Sequence, residues 1–445
     1  MKADFGWGYR KKVAITTLGC KVNQYESCAL AGEFRKRGYE VVPFGTPADI
    51  YVINTCTVTG RSDYQSRQLI RRAFRANPGA IIVATGCYAQ VAPEELAVMP
   101  EVSLIVGNDE KLTLPERIEA MGDGNGKVQV GDIWHVKHIN FRSVSFFPDH
   151  TRAFLKIQDG CNACCSYCIV PTARGRSRSL PRESVLAELR RLGQSGYQEV
   201  VLTGIHLGAY GQDLPEPMGL LDMLKAVEKE RPVSRIRLSS LEPAEISDEL
   251  VDWVGRSNVI CPHFHVPLQS GDDDVLQSMR RAYDRAFFHA LIEKIRAKVP
   301  RAAIGVDVMT GFPGEDEAAF QNTFDLIASL PLTYLHVFPY SRRHGTAAAV
   351  MEGQVEEKAK RGRAEALRLL GAGKKEEFAR SFVGAELPVL IEGYGGRDKK
   401  SMRGWTDNYL AVIFEQGNPD WINQIVPTRI LDEERGQLRG RVSHA

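Results

Sequence analysis

The sequence predicts an α/β protein built from three parts, and three observations support this fold class. In the first third, short β-branched runs alternate with helical segments, a βαβαβ pattern typical of a doubly wound parallel sheet. The centre continues the alternation through six βα units, which predicts a partial (β/α)6 barrel. The tail has short β-rich runs broken by turns, which predicts a small antiparallel β-barrel. We expect domains over residues 10–130, 145–375 and 380–442, with an irregular linker over 122–150.

Composition limits the functional classes. The 445 residues are 43% apolar and 25% charged, as in ordinary globular proteins, and the net charge of +2 gives no argument for nucleic-acid binding. No apolar run approaches the roughly 18 residues that span a bilayer, and the N-terminus lacks the apolar core of a secretory signal. We therefore expect a cytoplasmic protein without membrane contact. In that compartment the nine cysteines are more often ligands or nucleophiles than disulfides.

Three cysteines in the first third share one context. Each follows a β-branched apolar run that predicts a buried strand, and predicted helices over Glu26–Arg37 and Ser62–Ala76 separate the runs. Because the carboxyl ends of parallel strands meet at one edge of a sheet, we expect Cys20, Cys56 and Cys87 to converge. The pattern predicts a three-thiolate site. The alternative is that these cysteines are small buried core residues.

The central alternation predicts parallel strands whose carboxyl ends form one face, where β/α barrels carry their functional groups. Polar segments follow or close four of these strands: TGIH from Thr203, LSSLEP from Leu238, PLQSG from Pro267 and TGFPGE from Thr310. Each segment alone is also consistent with a turn and a helix N-cap. The predicted strands are Ala153–Ile157, Glu199–Thr203, Ile236–Ser240, His263–Leu268, Ile304–Met309 and Tyr334–Tyr340.

The segment CNACCSYC follows the first predicted barrel strand and is the strongest functional motif. Cys161, Cys165 and Cys168 fit the spacing C-x3-C-x2-C, so three thiolates on one short loop can hold three irons of a four-iron cluster. The fourth iron then lacks a protein ligand, and an open metal position usually indicates chemistry rather than structure. The alternatives are a structural zinc loop or a set of buried thiols.

These residues together carry a family resemblance. With LGCKVNQYES from Leu18, NTCTVT from Asn54 and GCYAQ from Gly86, the CNACCSYC loop resembles the radical S-adenosylmethionine (SAM) methylthiotransferases over nearly the whole chain. GIHLGAYG from Gly204 and GWTDNYL from Gly404 look most like the type that acts on N6-threonylcarbamoyladenosine in tRNA. Two residues depart from the family pattern: Cys164 is an extra thiol, and Thr172 stands where an aromatic residue is frequent.

The resemblance implies a reaction and its cofactors. It implies two 4Fe-4S clusters, one held by Cys161, Cys165 and Cys168 and an auxiliary one held by the three N-terminal cysteines. It also implies two SAM molecules per turnover, one as methyl donor and one as radical source. The product carries a methylthio group on C2 of the adenosine at position 37, next to the anticodon. By family position, the SAM-binding residues are Tyr167, Gly204, Ser240, Glu242 and Gln269.

The resemblance also implies partners. The tail is similar to a TRAM domain, an OB-like RNA-binding module, and the substrate is the anticodon stem-loop of tRNA. An electron donor such as flavodoxin or ferredoxin is expected. His206 either contacts substrate or is an ordinary loop histidine. Trp405 and Tyr409 either stack on bases or belong to the barrel core. The arginines expected to contact phosphates are Arg61, Arg67, Arg71, Arg72, Arg75, Arg174, Arg176, Arg178 and Arg182.

Two competing functions stay open at this point. The first is the same chemistry on an aspartate of a ribosomal protein. The second is a non-catalytic iron–sulfur or zinc protein that binds RNA, which predicts no SAM cleavage.

Overall fold

A computed structural model of the chain describes residues 10–121, 126–144, 146–148, 150–395 and 401–443. The chain divides into two compact units. Unit 1 comprises the described residues of Met1–Val144 with two later pieces, Gly160–Ala163 and Cys168–Arg176. Unit 2 comprises the remaining described residues. None of the described helices is both long and apolar enough to cross a membrane.

Unit 1 is built on a six-stranded sheet in which every pairing is parallel, with the order β2-β1-β3-β4-β5-β6. The central strand β3 is buried at every position, as its sequence IYVINT predicts. The strands are β1 Lys12–Thr17, β2 Glu40–Val42, β3 Ile50–Thr55, β4 Ile81–Gly86, β5 Leu104–Val106 and β6 Val128–Gln129.

Helices cover both faces of this sheet. Alternate residues of β3 enter different hydrophobic clusters, since Tyr51 and Ile53 join one and Ile50 and Val52 join the other. Apolar cover on both faces is what a doubly wound sheet requires, and the predicted fold class is confirmed. The helices of unit 1 are α1 Lys21–Lys36, α2 Gly60–Ala76, α3 Cys87–Val91, α4 Pro93–Ala97, α5 Leu114–Glu119 and α6 Val170–Arg174.

The predicted linker over 122–150 is wrong in one respect. Val128–Gln129 pairs with β5 and forms the last strand of the sheet, so this part of the segment belongs to unit 1. A strand of two residues is too short to show an alternating pattern of apolar and polar residues in the sequence. Residues 122–125, 145 and 149 of the segment lie outside the described residues.

Unit 2 begins with six parallel strands that correspond to the six predicted ones. They form two sheets, β7-β10-β11 and β12-β13-β14, and a single parallel bridge from Ile236 to Ile260 links β11 with the segment before β12. This arrangement is a partial, open (β/α)6 barrel. The six barrel strands are β7 Ala153–Lys156, β10 Glu199–Thr203, β11 Arg235–Leu238, β12 His263–His265, β13 Ala303–Thr310 and β14 Tyr334–Pro339. Two further short strands, β8 Gln158–Asp159 and β9 Arg178–Ser179, form a separate antiparallel pair.

Amphipathic helices follow the barrel strands. Three of them are preceded by an N-cap aspartate whose carboxylate accepts the backbone N–H three residues on, namely Asp272, Asp284 and Asp316. The helices of unit 2 are α7 Arg182–Gln194, α8 Leu220–Glu230, α9 Asp248–Arg256, α10 Asp273–Ser278, α11 Arg285–Lys298, α12 Glu317–Ser329 and α13 Glu357–Arg380.

The C-terminal part of unit 2 is a closed five-stranded barrel with the order β15-β16-β17-β19-β18. Four of the strand pairings in this barrel are antiparallel, as predicted, whereas the β17–β19 pairing is parallel. The strands are β15 Glu386–Tyr394, β16 Met402–Thr406, β17 Ala411–Phe414, β18 Ile425–Glu434 and β19 Gln437–Val442.

The small barrel packs against the amino ends of the (β/α)6 strands. Arg237 binds the fully buried Glu199 through Nε at 2.7 Å and donates to the carbonyl of Asp407 at 2.9 Å. Trp405 stacks on Tyr409, with 4.9 Å between ring centroids, and the Arg237 guanidinium lies 5.1 Å from the Tyr409 ring. Both aromatic rings therefore pack within unit 2, which favours the core interpretation over base stacking.

Candidate active site

The three N-terminal cysteines lie at the carboxyl ends of adjacent strands of unit 1. Cys20 immediately precedes α1, Cys56 follows β3, and Cys87 is the first residue of α3. The turn before Cys20 packs closely against Cys56. Gly19 has φ +95°, and a Cβ at this position would lie 2.9 Å from the Cys56 Sγ, so both the backbone and the space require glycine.

Close approach of the three thiols has an electrostatic consequence. Burial raises the pKa of the Cys56 thiol to about 11, and the nearby Cys87 and Cys20 thiols contribute to the rise. The Cys87 sulfur faces two donors, Arg174 Nε at 3.3 Å and Asn108 Nδ2 at 3.9 Å. Holding all three as thiolates therefore requires positive charge, which a metal group supplies when bound.

Beneath Cys87 lies a buried charge cluster made by Glu26, Lys111 and Arg174. The Glu26 carboxylate accepts from Arg174 Nη1 at 2.7 Å and from Lys111 Nζ at 2.6 Å, and all three side chains are at most 4% exposed. Arg174 also donates to Asn23 Oδ1, and Lys111 donates to Asn54 Oδ1 at 3.1 Å. Burial raises the pKa of the Cys20 thiol, and the Arg174 guanidinium of this cluster opposes that rise.

This cluster corrects one expectation and adds residues that the sequence did not indicate. Arg174 is 1% exposed and Arg178 is 5% exposed, so the prediction that these two arginines contact phosphates is wrong. Asn23, Glu26 and Lys111 were not predicted as site residues. The signal that could have found Glu26 was a carboxylate six residues after Cys20 on the side of α1 that packs inward.

The spacing of the cysteines fits a group larger than a single zinc ion. Zinc binds thiolates at about 2.3 Å, so sulfurs around one ion lie about 3.8 Å apart. Among the residues that the structure describes, no three cysteine sulfurs lie within 4.8 Å of one another. Cys20, Cys56 and Cys87 therefore lie too far apart to bind one zinc ion together in this arrangement, and cysteine thiolates are also the usual ligands of 4Fe-4S clusters.

The second cysteine set lies on a loop whose residues belong to both units. In unit 1, the Cys161 N–H donates to the Gly175 carbonyl at 3.0 Å, and the Ala163 N–H donates to the Cys161 Sγ at 3.3 Å. Cys168 is half-buried just before α6, also in unit 1. Cys165 belongs to unit 2 and is half-buried, whereas the extra thiol of Cys164 is exposed.

An arginine that the sequence did not indicate contacts Cys165. Arg281 Nη1 donates to the Cys165 Sγ at 3.2 Å, Nε donates to the Tyr283 hydroxyl at 3.1 Å, and Nη2 binds the Glu242 carboxylate. Burial raises the pKa of Glu242, and Arg281 opposes that rise. Arg280 and Arg281 are adjacent after α10, and nothing in the sequence distinguishes the buried one from the exposed one.

The residues predicted to bind SAM follow successive strands of unit 2. Tyr167 is half-buried with its ring 6.5 Å from Phe312, and Ser240 is exposed after β11. A Cβ at Gly204 would lie 2.7 Å from Gln158 Oε1, so glycine is required where β10 ends. The remaining two predicted residues, Glu242 and Gln269, are half-buried beyond β11 and β12.

His206 has partners within its own unit. Its Nε2 lies 2.7 Å from Glu245 Oε1, and its backbone N–H donates to Gln158 Oε1 at 2.7 Å. These contacts favour the loop-histidine interpretation over substrate contact. The exposed arginines of α2 are different, because Arg61, Arg72 and Arg75 remain accessible on the surface of unit 1.

Comparison with known proteins identifies three regions. Residues 12–107 match the family described as Uncharacterized protein family UPF0004. Residues 155–327 match the Radical SAM superfamily, and residues 380–443 match the TRAM domain.

Full-length relatives decide the family. The threonylcarbamoyladenosine tRNA methylthiotransferase MtaB of Bacillus subtilis is 41% identical over 94% of this chain and 93% of its own. MtaB of Aquifex aeolicus is 42% identical over 90% of this chain and 96% of its own. The chain belongs to the radical SAM methylthiotransferase family, MtaB type. A more distant relative is the tRNA-2-methylthio-N(6)-dimethylallyladenosine synthase of Carboxydothermus hydrogenoformans, at 32% identity over 97% of this chain and 99% of its own.

A solved structure agrees at the level of fold. The radical SAM methyltransferase TsrM of Kitasatospora setae, with cobalamin and a [4Fe-4S] cluster bound, aligns with a TM-score of 0.59 at 16% identity over 77% of each chain. Membership of the MtaB-type family implies SAM and 4Fe-4S clusters as cofactors, with the UPF0004 region implying a second cluster. The donor sets described above are chemically suited to both clusters.

Proposed function

We propose that this protein adds a methylthio group to C2 of N6-threonylcarbamoyladenosine at position 37 of tRNA, using two SAM molecules per turnover. The observation that carries the proposal is the presence of two separate three-cysteine sets. One follows strands of a doubly wound sheet, and the other lies on the loop after the first barrel strand. A purely electron-transferring or structural cluster normally uses four protein ligands, so three in each set leaves an open position.

The proposal assigns the chain's own residues as follows. Cys161, Cys165 and Cys168 hold the cluster that binds SAM, and Tyr167, Gly204, Ser240, Glu242 and Gln269 orient that SAM. Cys20, Cys56 and Cys87 hold the auxiliary cluster. The cofactors supply the radical and sulfur chemistry, while the protein positions them and excludes competing reactions. We also propose the domain limits that the sequence predicts, namely 10–130, 145–375 and 380–442.

The RNA partner has support of a coarser kind. The relatives are named tRNA-modifying enzymes and residues 380–443 match the TRAM domain, which supports tRNA as the substrate. We propose that the exposed arginines of α2 contact its phosphates, since cations near the modified base would neutralise the backbone. A loop base is easier to reach than a stacked duplex base. An electron donor such as flavodoxin or ferredoxin completes the proposed set of partners, and a cytoplasmic location is proposed with it.

The test is reconstitution under anaerobic conditions, with SAM, a chemical reductant and tRNA that already carries threonylcarbamoyladenosine. Digested nucleosides are analysed by mass spectrometry, beside a Cys161→Ala control and beside tRNA carrying dimethylallyladenosine. We expect a methylthio mass increase on the threonylcarbamoyl nucleoside alone, and none in the control. Modification of the dimethylallyl nucleoside instead would reassign the substrate. SAM cleavage without any modified nucleoside would direct the search to a ribosomal protein, and no SAM cleavage would favour a binding protein.

A further inference from the structure

Three potential metal ligands lie on neighbouring strands of unit 2, and none of them is a cysteine. In the sheet, His265 on β12 pairs with Gly305 on β13, and Asp307 on β13 pairs with His336 on β14. Because strand side chains alternate, residues 305 and 307 lie on one face, and so do their partners. His265 is buried, Asp307 is half-buried and His336 is exposed, so the group extends from the interior to the surface.

The separations match a common coordination sphere. Asp307 Oδ1 lies 3.2 Å from His265 Nε2 and 3.2 Å from His336 Nδ1, and the three ligand atoms all lie within 4.8 Å of one another. Imidazole and carboxylate ligands bind zinc at about 2.0–2.2 Å, which separates neighbouring ligand atoms by roughly 2.8–3.6 Å in tetrahedral or octahedral geometry. Small shifts of the exposed His336 ring are enough to complete the site.

The surroundings hold the buried imidazole in a ligand-like orientation. Ser240 Oγ lies 2.6 Å from His265 Nδ1, and the Tyr334 ring stacks on the His265 ring with 6.0 Å between centroids and 7° between planes. Gly305 makes that stacking possible, since a Cβ there would lie 2.0 Å from Tyr334 Cζ. Metal-binding histidines usually have their second nitrogen fixed by such a hydrogen bond.

His265 Nε2, the nitrogen that faces Asp307, has an unusual environment. His265 Nε2 is buried and makes no hydrogen bond of ordinary geometry among the described residues, although Asp307 lies close to it. If Nδ1 donates its proton to Ser240, the lone pair on Nε2 points toward a carboxylate. In that tautomer the Nε2 lone pair and the Asp307 carboxylate can hold a cation together, whereas in the other tautomer Nε2 donates its proton to Asp307.

We propose that His265, Asp307 and His336 bind one divalent first-row transition-metal ion. Two histidines and one carboxylate are a ligand set used for iron(II) and for zinc, and they leave at least one coordination position for water or another oxygen ligand. Of the three side chains His336 is the most exposed, so solvent reaches the group from the side of that ring. The site is distinct from both cysteine sets and does not depend on the proposed reaction.

Zinc is the probe, because it can be distinguished from the iron of the clusters. Protein with both clusters intact is treated anaerobically with a chelator, desalted and equilibrated with Zn²⁺, and zinc, iron and sulfide are measured in the same sample. We expect one zinc per chain and unchanged iron. X-ray absorption at the zinc edge should show nitrogen or oxygen neighbours at about 2.0–2.2 Å. A sulfur shell at about 2.3 Å would place the zinc on cysteines and overturn the proposal.

Variants locate the site. His336→Ala and Asp307→Asn should each weaken zinc binding by about tenfold or more, and Ser240→Ala should weaken it about tenfold through the lost orienting contact. His336 is exposed on an edge strand, so its removal should leave folding and cluster iron intact. His135→Ala is the matched control, because His135 pairs with Asp132 at 2.7 Å and has no third ligand among the residues that the structure describes. Equal zinc binding by the native protein and His336→Ala, or no zinc binding by either, would refute the proposal.

Discussion

Arg174 in unit 1 and Arg281 in unit 2 make the same pair of contacts in different surroundings. Each guanidinium donates to a cysteine sulfur, at 3.3 Å to Cys87 and at 3.2 Å to Cys165, and each also binds a glutamate. Arg174 is part of a closed cluster with a second cation, and its glutamate is 4% exposed. The glutamate that binds Arg281 is 32% exposed.

The difference in exposure of the two glutamates indicates that the two arginine–glutamate pairs have different roles. The buried Glu26 carboxylate cannot be removed without leaving two buried cations uncompensated, so the unit 1 cluster fixes α1 and α6 around Cys87. A half-exposed carboxylate can exchange its partner for a ligand or water at small cost. The Arg281 pair is therefore suited to a position where a zwitterion such as SAM must enter and leave, in agreement with the proposed role of Glu242.

The largest expected effect separates the two thiols that are adjacent in the loop. Cys165→Ser should abolish methylthiolation and remove about half of the cluster iron, because the contacted, half-buried Cys165 is a proposed ligand and the exposed Cys164 is not. Cys164→Ser is the control and should retain both activity and iron. Product analysis with iron and sulfide determination measures both quantities. Full iron in Cys165→Ser together with iron loss in Cys164→Ser would assign Cys164 as the ligand instead.

The next effect concerns the closed cluster of unit 1. Arg174→Gln should destabilise the protein by about 3–5 kcal/mol, because removing one partner from a buried charge network leaves Asn23 and the Glu26 carboxylate incompletely satisfied. The auxiliary cluster should be lost as well, since Cys87 loses its nearest donor. Chemical unfolding followed by circular dichroism measures the first effect, and iron content measures the second.

Arg176→Gln provides the control for that prediction, since Arg176 is exposed two residues away on the same segment. We expect its stability and iron content to equal those of the native protein. Equal behaviour of the two variants would mean that the buried network contributes nothing specific to unit 1.

A smaller effect is expected from Arg281→Gln. Reduction adds negative charge to a cluster, so a cation beside one of its thiolates raises the reduction potential, and its removal should lower the potential by an amount on the order of tens of millivolts. A Cys56→Ala background, in which the auxiliary cluster should be missing, simplifies a redox titration followed by electron paramagnetic resonance. Arg280→Gln is the control, because the neighbouring Arg280 is exposed. Identical potentials in the two variants would exclude the electrostatic role of Arg281.

The sequence was sufficient for the fold and for the position of the cysteines. β-Branched runs and helical periodicity predict a βα pattern with a parallel sheet, and the carboxyl ends of parallel strands bring Cys20, Cys56 and Cys87 to one edge. The six barrel strands followed for the same reason. These features depend on patterns that are local in sequence.

The residues that surround the cysteines were not predictable in this way. Arg174 and Glu26 are 148 residues apart, and Arg281 and Cys165 are 116 apart, so their pairing depends on how distant segments pack. A run of arginines looks the same in sequence whether its members are exposed like Arg176 or buried like Arg174. The His265, Asp307 and His336 group was missed for a related reason, because only strand register brings these residues together.

The smallest expected effect tests the comparison of the two glutamates directly. Glu242→Gln should lower the free energy of unfolding by only about 1–3 kcal/mol, because one charge-assisted contact is lost while Arg281 keeps its contacts with Cys165 and Tyr283. Glu26→Gln should cost about 3–5 kcal/mol, since it leaves Lys111 and Arg174 as two buried cations without a counter-charge. Denaturant unfolding of both variants and the native protein under identical conditions measures the difference. Similar losses in the two variants would show that the exposed fraction of the carboxylate does not distinguish the sites, whereas a large loss in Glu242→Gln alone would reverse the assignment of the fixed and the exchangeable pair.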